Sequence, residues 1–202
     1  MKDKKKLLWE YIEAIATALI LALIIRAYIV QAFKIPSGSM IPTLLIGDHI
    51  LVNKFIYGTK IPFSENRILE FRKPGKGDII VFKYPENPEK DFIKRVVATA
   101  GDVIEERNKI VSVNGTPLSE PYIRHFDMNV RPEGMDPRDN FGPITIPPNK
   151  VFVMGDNRDQ SYDSRYWGFV DLKSIRGKAL IIYWSWDPDK WVRLNRIGRL
   201  IE

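Results

Sequence analysis

The stretch Pro74-Gly75-Lys76-Gly77-Asp78-Ile79-Ile80-Val81-Phe82-Lys83 joins a turn to a run of β-branched and aromatic residues. Proline, glycine and aspartate favour turns, whereas isoleucine, valine and phenylalanine favour strands. The same succession of turn and strand signals recurs along most of the chain after residue 33. Many short strands of this kind predict a mainly β domain with antiparallel sheet. Further strands are predicted at residues 49–53, 93–98, 103–106, 110–113, 150–154 and 179–184. A tight turn is predicted at Asn114-Gly115.

The longest apolar run in the chain lies near its amino end, at residues 14–30, and its only charged residue is Arg26. A bilayer span needs roughly 20 mainly apolar residues, with a range of about 17–25. Trp9 and Tyr28 suit the two membrane interfaces. We favour a spanning helix over a cleavable signal peptide, whose apolar core is shorter, and over an amphipathic helix that lies on the membrane surface.

The lysines that precede the apolar run set the predicted organisation of the chain. Positive residues next to a span favour the cytoplasmic side. We therefore expect residues 1–6 in the cytoplasm, residues 7–31 across the membrane and residues 32–202 outside the cytoplasm as the catalytic domain. Within this domain, residues 117–148 are rich in proline and charge, and we interpret them as a loop-rich insertion.

Composition excludes several classes of site. The chain has no cysteine, which rules out disulfides, thiolate metal sites and a cysteine nucleophile. Its net charge of +6 is spread along the sequence, so we predict no nucleic-acid binding, although anionic lipid is compatible. Residues 155–168 combine Asp and Asn with Arg and lack an EF-hand pattern, which favours an Asp–Arg brace over a metal. The tryptophans of residues 184–191 suit either a core or a headgroup layer.

Ser39 lies in Pro36-Ser37-Gly38-Ser39-Met40-Ile41-Pro42-Thr43-Leu44, a few residues after the apolar run. A serine hydroxyl is a weak nucleophile until a base removes its proton. Histidine is the usual base, but neither His49 nor His125 is flanked by residues that look arranged around it. Ser39 is therefore a candidate nucleophile that needs an unusual base.

Lys94 is a candidate for that base because it lies among apolar residues in Asp91-Phe92-Ile93-Lys94-Arg95-Val96. Burial disfavours the ammonium ion and lowers the pKa of a lysine. Alternate residues of a strand share a face, so Lys94 could enter a site while Arg95 stays in water. The alternative is that both are exposed basic residues at a strand edge.

Together these segments resemble the bacterial type I signal peptidases, or leader peptidases, which are membrane-bound serine proteases with a Ser/Lys dyad. The resemblance is carried by the apolar run and by residues 36–44, 77–82, 91–95 and 155–168, in the family's order. It implies a barrel-like antiparallel fold with one amino-terminal transmembrane helix. It also implies an endopeptidase of the bacterial cytoplasmic membrane that cuts signal peptides from exported preproteins after Ala-X-Ala, with no cofactor or metal.

The resemblance also implies roles for individual residues. Ser39 would be the nucleophile and Lys94 the general base, working through an acyl-enzyme. Ser161 would orient the lysine by a hydrogen bond, and Ser37 would donate to the oxyanion beside the N–H of Ser39. Supporting ion pairs are implied for Asp156, Arg158, Asp163 and Arg165. Shallow substrate pockets are implied for Phe33, Ile35, Met40, Leu44, Ile50, Val81, Phe92 and Ile93, which could equally be ordinary core residues.

The chain differs from some relatives in having a single span, a short insertion and no cysteine for a disulfide. Two other functions are compatible with the pattern. One is a regulatory protease, since the fold implied resembles that of self-cleaving repressors. The other is a non-enzymatic, membrane-anchored β module that binds exported proteins.

Overall fold

The apolar run at the amino end folds as one long helix. The computed structural model describes residues 2–60, 67–189 and 191–202, and its helix α1 spans Lys2–Tyr28. The segment Lys4–Tyr28 is long and apolar enough to cross a membrane. Every side chain from residue 4 to residue 27 is exposed, so the protein itself covers little of this helix. A helix that is apolar on all sides and has no protein cover is suited to lipid.

Fourteen strands follow in the described residues, together with one further short α-helix, α2 (Ser164–Trp167), and three 3-10 helices. The strands are β1 (Val30–Lys34), β2 (Asp48–Asn53), β3 (Tyr57–Lys60), β4 (Arg67–Glu70), β5 (Ile79–Tyr84), β6 (Asn87–Thr99), β7 (Val103–Arg107), β8 (Ile110–Val113), β9 (Thr116–Pro117), β10 (Phe141–Thr145), β11 (Lys150–Met154), β12 (Val170–Asp171), β13 (Ile175–Asp187) and β14 (Trp191–Val192).

Every strand predicted from the sequence is present, and the fold is mainly antiparallel β with one amino-terminal apolar helix, as expected. The predicted tight turn is also confirmed. Asn114 and Gly115 join β8 to β9 with φ values of 53° and 77°. Positive φ at both positions matches the twist of a two-residue hairpin, which is why asparagine and glycine occupy it.

The boundary between helix and sheet differs from the one predicted. We expected the membrane helix to extend to residue 31, but α1 ends at Tyr28 and β1 begins at Val30. β1 pairs with β2 from Val30 opposite Asn53 to Lys34 opposite His49. Backbone pairing with β2 therefore overrides the apolar character of these residues, and the sheet starts two residues before the predicted domain boundary.

The largest sheet has eight strands in the order β1-β2-β13-β5-β6-β11-β12, with β14 paired to β13. The hydrophobic core against this sheet includes Met40 and Leu44, which belong to the segment that follows β1 and not to a strand. They pack with Ile50 of β2 and Val81 of β5. The segment that carries Ser39 is thus fixed to the core through its apolar residues.

A second sheet has the order β10-β7-β8-β9 and contains part of the predicted loop-rich insertion. The loop interpretation of residues 117–148 is wrong for residues 141–145, which form strand β10 against β7. Phe141 is buried and stacks on Phe152 of β11, with ring centroids 5.4 Å apart. Gly142 and Pro143 conceal the strand in the sequence, because they interrupt the alternation and the register shifts between Phe141 and Ile144.

Asp48, at the start of β2, ties the carboxyl end of the chain to the core. Its fully buried carboxylate accepts hydrogen bonds from the N–H of Leu45 at 2.8 Å, Ser185 Oγ at 2.7 Å and Arg196 Nη2 at 2.5 Å. Burial opposes ionisation, but these hydrogen bonds, above all those from Arg196, hold the pKa of Asp48 below its ordinary value. The result is a buried ion pair with most of its hydrogen-bonding capacity filled.

We predict that Asp48→Ala lowers the free energy of unfolding by about 3–5 kcal/mol, because it leaves the Arg196 guanidinium buried without its carboxylate. Thermal unfolding in detergent micelles, followed by circular dichroism, measures the change. The control is Glu133→Ala, which removes the exposed partner of Arg107 and should change stability by less than about 1 kcal/mol. Equal losses in both variants would contradict a special role for the buried pair.

Candidate active site

Ser39 lies in a series of tight turns between β1 and β2. The N–H of Ile41 donates to the carbonyl oxygen of Gly38 at 3.1 Å, and the N–H of Leu44 donates to that of Met40 at 2.9 Å. These turns leave the Ser39 side chain half-buried at the surface of the core. Lys94 reaches it from β6, and its Nζ donates to Ser39 Oγ at 2.5 Å. The two residues that the sequence selected are therefore in direct contact.

The surroundings of Lys94 favour an uncharged amine. Its side chain is in the core and the residue is 4% exposed. Burial lowers the pKa of Lys94 to about 8, with the Asp163 carboxylate acting in the opposite direction and the Arg165 guanidinium adding to the decrease. A lysine with this pKa is partly neutral near pH 8, and the neutral form can accept a proton from a hydroxyl.

Arg95 points away from Lys94, as the strand alternation predicts, but it does not stay in water. It is 2% exposed, and its Nε and Nη2 donate to the Asp156 carboxylate at 2.8 and 2.7 Å. Its guanidinium also lies over the ring of Tyr122, 3.8 Å from the centroid. Residues from the insertion and from the loop after β11 cover this side of β6. The expectation of an exposed Arg95, alone or with Lys94, is therefore wrong.

The loop after β11 carries the Asp–Arg brace that its composition favours. Arg165 donates from Nε and Nη2 to the two carboxylate oxygens of Asp163, both at 2.9 Å, and the pair is buried. Asp156 and Arg158 of the same loop do not pair with each other. Asp156 pairs with Arg95, and Arg158 pairs with Glu120 of the insertion. Asp159 pairs with Lys109 at 2.6 Å, so four separate ion pairs hold the loop.

Ser161 lies beside Ser39, but it makes no hydrogen bond to Lys94 in this structure, so its orienting role stays a prediction. Gly155, which the sequence did not single out, lies in close contact with both Ser161 and Ser39. A Cβ placed on Gly155 would lie 2.3 Å from Ser161 Oγ and 2.4 Å from the carbonyl oxygen of Ser39. Only glycine leaves room for the loop to approach both serines this closely.

Ser39 opens into a cleft of about 440 Å³. One wall is residues 36–39, which include Ser37, and the other is residues 91–94 of β6. Gln160 and Tyr162 complete the lining and were not predicted from the sequence. Both are exposed polar residues in a turn-rich loop, and nothing in their local sequence indicates that they face the cleft.

The implied substrate-contacting residues fall into two groups. Phe92 and Ile93 line the cleft directly, and Phe33 is partly buried against the core. The other five have the core role that the sequence left open as an alternative, and they lie in the cluster beneath the Ser39 segment: Ile35, Met40, Leu44, Ile50 and Val81.

Neither histidine contacts Ser39. His49 lies edge-on to the ring of Tyr183, with centroids 5.9 Å apart, and His125 lies beside Asp159 at 3.3 Å. Among the described residues no group of three or more His, Asp or Glu side chains is arranged to hold a metal ion. The groups that the structure places together at the site are the Ser39 hydroxyl and the Lys94 amine.

Glu106 of β7 is a buried carboxyl that sequence reasoning missed. Neither of its oxygens has a hydrogen-bond partner in the described part of the chain, and Arg165 Nη1 lies 3.7 Å from Oε2. Burial raises the pKa of Glu106 to about 7, although Arg165 and Arg158 act to lower it. An alternating strand of mixed polarity gives no sign that one glutamate faces inward.

We predict that Glu106→Gln stabilises the protein at alkaline pH. Because the pKa of Glu106 is raised in the folded state, the protonated carboxyl contributes fully to the stability of the fold below about pH 4.5. This contribution is lost as the pH rises through about 7. The variant should therefore resemble the wild type at pH 5 and exceed its stability by up to about 3 kcal/mol at pH 8.5. Chemical unfolding at both pH values measures this difference, and the exposed Glu133→Gln serves as control. A difference independent of pH would contradict the prediction.

Comparison with known proteins gives consistent results. The model of the family described as "Signal peptidase, peptidase S26" matches residues 8–184. A signal peptidase I of Pseudomonas fluorescens is 34% identical, over 98% of this chain and 80% of the relative. One from Aquifex aeolicus is 38% identical, over 81% of this chain and 79% of the relative. The crystal structure of a signal peptidase I from Enterococcus faecalis is 34% identical, covering 53% of this chain and 97% of that chain with a TM-score of 0.44.

Proposed function

This chain belongs to the peptidase S26 family of signal peptidases, and we propose that it is a membrane-anchored serine endopeptidase that removes signal peptides from exported preproteins. The observation that carries the proposal is the 2.5 Å hydrogen bond from buried Lys94 Nζ to Ser39 Oγ. An amine whose pKa is lowered by burial, in contact with an alcohol at the edge of a cleft, is an arrangement that activates a nucleophile.

In the acylation step, Ser39 Oγ attacks the scissile carbonyl carbon while neutral Lys94 accepts the hydroxyl proton. The N–H of Ser39 and the hydroxyl of Ser37 stabilise the tetrahedral oxyanion that forms. The intermediate collapses when the C–N bond breaks, and the Lys94 ammonium gives its proton to the departing amine. Water then attacks the ester, again with Lys94 as base, and Ser39 regains its proton from the lysine.

The free edge of β6 gives the substrate a place to bind in extended form. β11 pairs with β6 only as far as Met154 opposite Arg95, so no strand in the described part of the chain pairs with residues 91–94 on the side of β11. An extended peptide can add to such an edge through backbone hydrogen bonds. Alternate side chains of that peptide point the same way, so the first and third residues before the cut would face the same wall. Phe92 and Ile93 narrow the cleft there, which favours small side chains such as alanine.

Helix α1 supports a single-pass location in the bacterial cytoplasmic membrane, with the amino terminus in the cytoplasm and the domain from Val30 onward outside it. Trp184, Trp186 and Trp191 are exposed rather than packed in the core, and Trp191 is 77% exposed. This supports the headgroup alternative for the tryptophan-rich tail. Holding enzyme and signal peptide in one bilayer raises their effective concentration.

We predict that Ser39→Ala abolishes cleavage of a preprotein and that Lys94→Ala lowers kcat by about 10²–10⁴, the usual contribution of a general base. Cleavage assays in liposomes measure both. The control is Lys150→Ala, a half-buried lysine paired with the exposed Asp171, which should keep wild-type activity. A serine-reactive β-lactam should label wild-type Ser39, as detected by mass spectrometry. Retained activity in either dyad variant would exclude the mechanism.

We predict that kcat/KM rises with pH through about 8, because only the unprotonated amine of Lys94 can act as base and burial lowers its pKa to about this value. Cleavage of a short peptide between pH 6 and pH 9.5 measures the profile. Thermal unfolding at each pH separates loss of activity from loss of structure. A flat profile across this range would show that Lys94 is not the group whose ionisation controls the rate.

A further inference from the structure

Asn157 makes two contacts to the nucleophile segment that the mechanism above does not use. It is buried and follows Asp156 in the loop after β11. Its side-chain Nδ2 donates to the carbonyl oxygen of Gly38 at 3.0 Å. Its backbone N–H donates to the carbonyl oxygen of Ser39 at 3.1 Å. One residue thus holds the carbonyl groups on both sides of the Ser39 Cα.

We propose that Asn157 is the positioning residue of the oxyanion hole, in that its side chain fixes the peptide between Gly38 and Ser39 so that the N–H of Ser39 faces the substrate. The inference rests on the proposed function, because it concerns the stability of the oxyanion formed in that reaction. Asn157 does not touch the reacting atoms in this account. It acts through the peptide that it orients.

The geometry of the peptide bond relates the direction of the Gly38 carbonyl to that of the Ser39 N–H. The bond between Gly38 and Ser39 is trans, so its C=O and N–H point in opposite directions in one plane. Binding the carbonyl to Asn157 therefore directs the N–H of Ser39 away from Asn157. This N–H has no acceptor within the part of the chain that the structure describes, and Gly38 and Ser39 both line the cleft.

The peptide between Gly38 and Ser39 needs a hydrogen bond to fix its orientation, because the residue before Ser39 is a glycine. Gly38 has no side chain, so its backbone can rotate more freely than that of any other residue. Rotation of this peptide would turn the N–H of Ser39 out of the site. A hydrogen bond to the carbonyl prevents the rotation, and it also polarises the peptide, which makes the N–H a stronger donor.

The direction of the Asn157 amide follows from its two partners. Nδ2 lies within hydrogen-bond distance of both the Gly38 carbonyl oxygen and Gln160 Oε1, at 3.0 and 3.2 Å. Turning the amide over would bring Oδ1 against the Gly38 carbonyl oxygen, which is also an acceptor. The side chain therefore serves as a donor to this peptide.

The loop has other attachments, so the Asn157 side chain can be removed without releasing it. Asp156 accepts from Arg95 and, at 2.6 Å, from Thr43 Oγ1. Arg158 pairs with Glu120. The backbone hydrogen bond from Asn157 to Ser39 is also independent of the side chain. A variant should therefore fold and should lose mainly the orientation of one peptide.

The test compares Asn157→Ala with the isosteric Asn157→Asp, whose carboxylate cannot donate to the Gly38 carbonyl. We expect kcat for peptide cleavage to fall by about 10- to 100-fold in both, somewhat less than the ~10²–10³ lost when a donor is removed outright. KM should change by less than about threefold, because uncleaved substrate has no oxyanion. The matched control is Asn140→Ala, whose Nδ2 donates to the carbonyl oxygen of Arg131 in the insertion.

Two binding measurements separate this role from a merely structural one. Affinity for a peptide boronate, whose adduct with Ser39 is tetrahedral, should fall by the same factor as kcat. Affinity for uncleaved peptide, measured in Ser39→Ala with and without the Asn157 change, should stay the same. Thermal unfolding checks the fold of each variant, and the isosteric Asn157→Asp keeps the test valid if Asn157→Ala does not fold.

The results distinguish the two proposals. Wild-type kcat in both Asn157 variants, with Ser39→Ala inactive, would overturn the positioning role and leave the Ser/Lys mechanism intact. Equal losses of boronate binding and of uncleaved-peptide binding would also overturn it, because they indicate general damage to the cleft. Activity in Ser39→Ala would instead remove the proposed function itself.

Discussion

Keeping the ε-amine of Lys94 out of water is the constraint on which the rest of the site depends. A buried ammonium ion costs several kcal/mol in lost hydration, so such a group tends to release its proton instead. The nearby charges do not reverse this tendency. Asp163 raises the pKa of Lys94 and Arg165 lowers it, and the two belong to one buried ion pair. Burial therefore dominates, and the amine that contacts Ser39 is partly uncharged near pH 8.

Excluding water from Lys94 requires other residues to pack against both faces of β6. The loop after β11 supplies many of these residues. Its ion pairs reach four different parts of the fold, through Arg95 in β6, Lys109 between β7 and β8, Glu120 in the insertion and Arg165 in α2. A buried ion pair contributes little net stability, but removing one partner is costly because the other charge stays buried. The pairs thus specify where the loop lies more than they stabilise it. That position brings Gly155 and Asn157 against the backbone of Ser39.

Local sequence patterns were enough for seven of the fourteen described strands and for the choice of Ser39 and Lys94 as candidates. Runs of β-branched and aromatic residues next to turn formers identified β5 and β8, and an apolar setting singled out Lys94, whose role then came from the family resemblance. The same patterns failed where a neighbour decides the outcome. Phe141-Gly142-Pro143 gave no strand signal because β10 depends on pairing with β7. Arg95 was expected in water because alternation shows which side a residue faces but does not show what covers that side.

Residue types and their local order are enough to set which groups the protein possesses and their local conformation: an apolar helix, short strands, a hydroxyl at Ser39 and an amine at Lys94. These follow from side-chain shape and hydropathy, which act over a few residues. Only the tertiary structure decided which groups meet. Lys94 reaches Ser39 across 55 positions, and Asn157 reaches Gly38 across 119. Contacts over such separations depend on how the sheets pack, and no local signal encodes them.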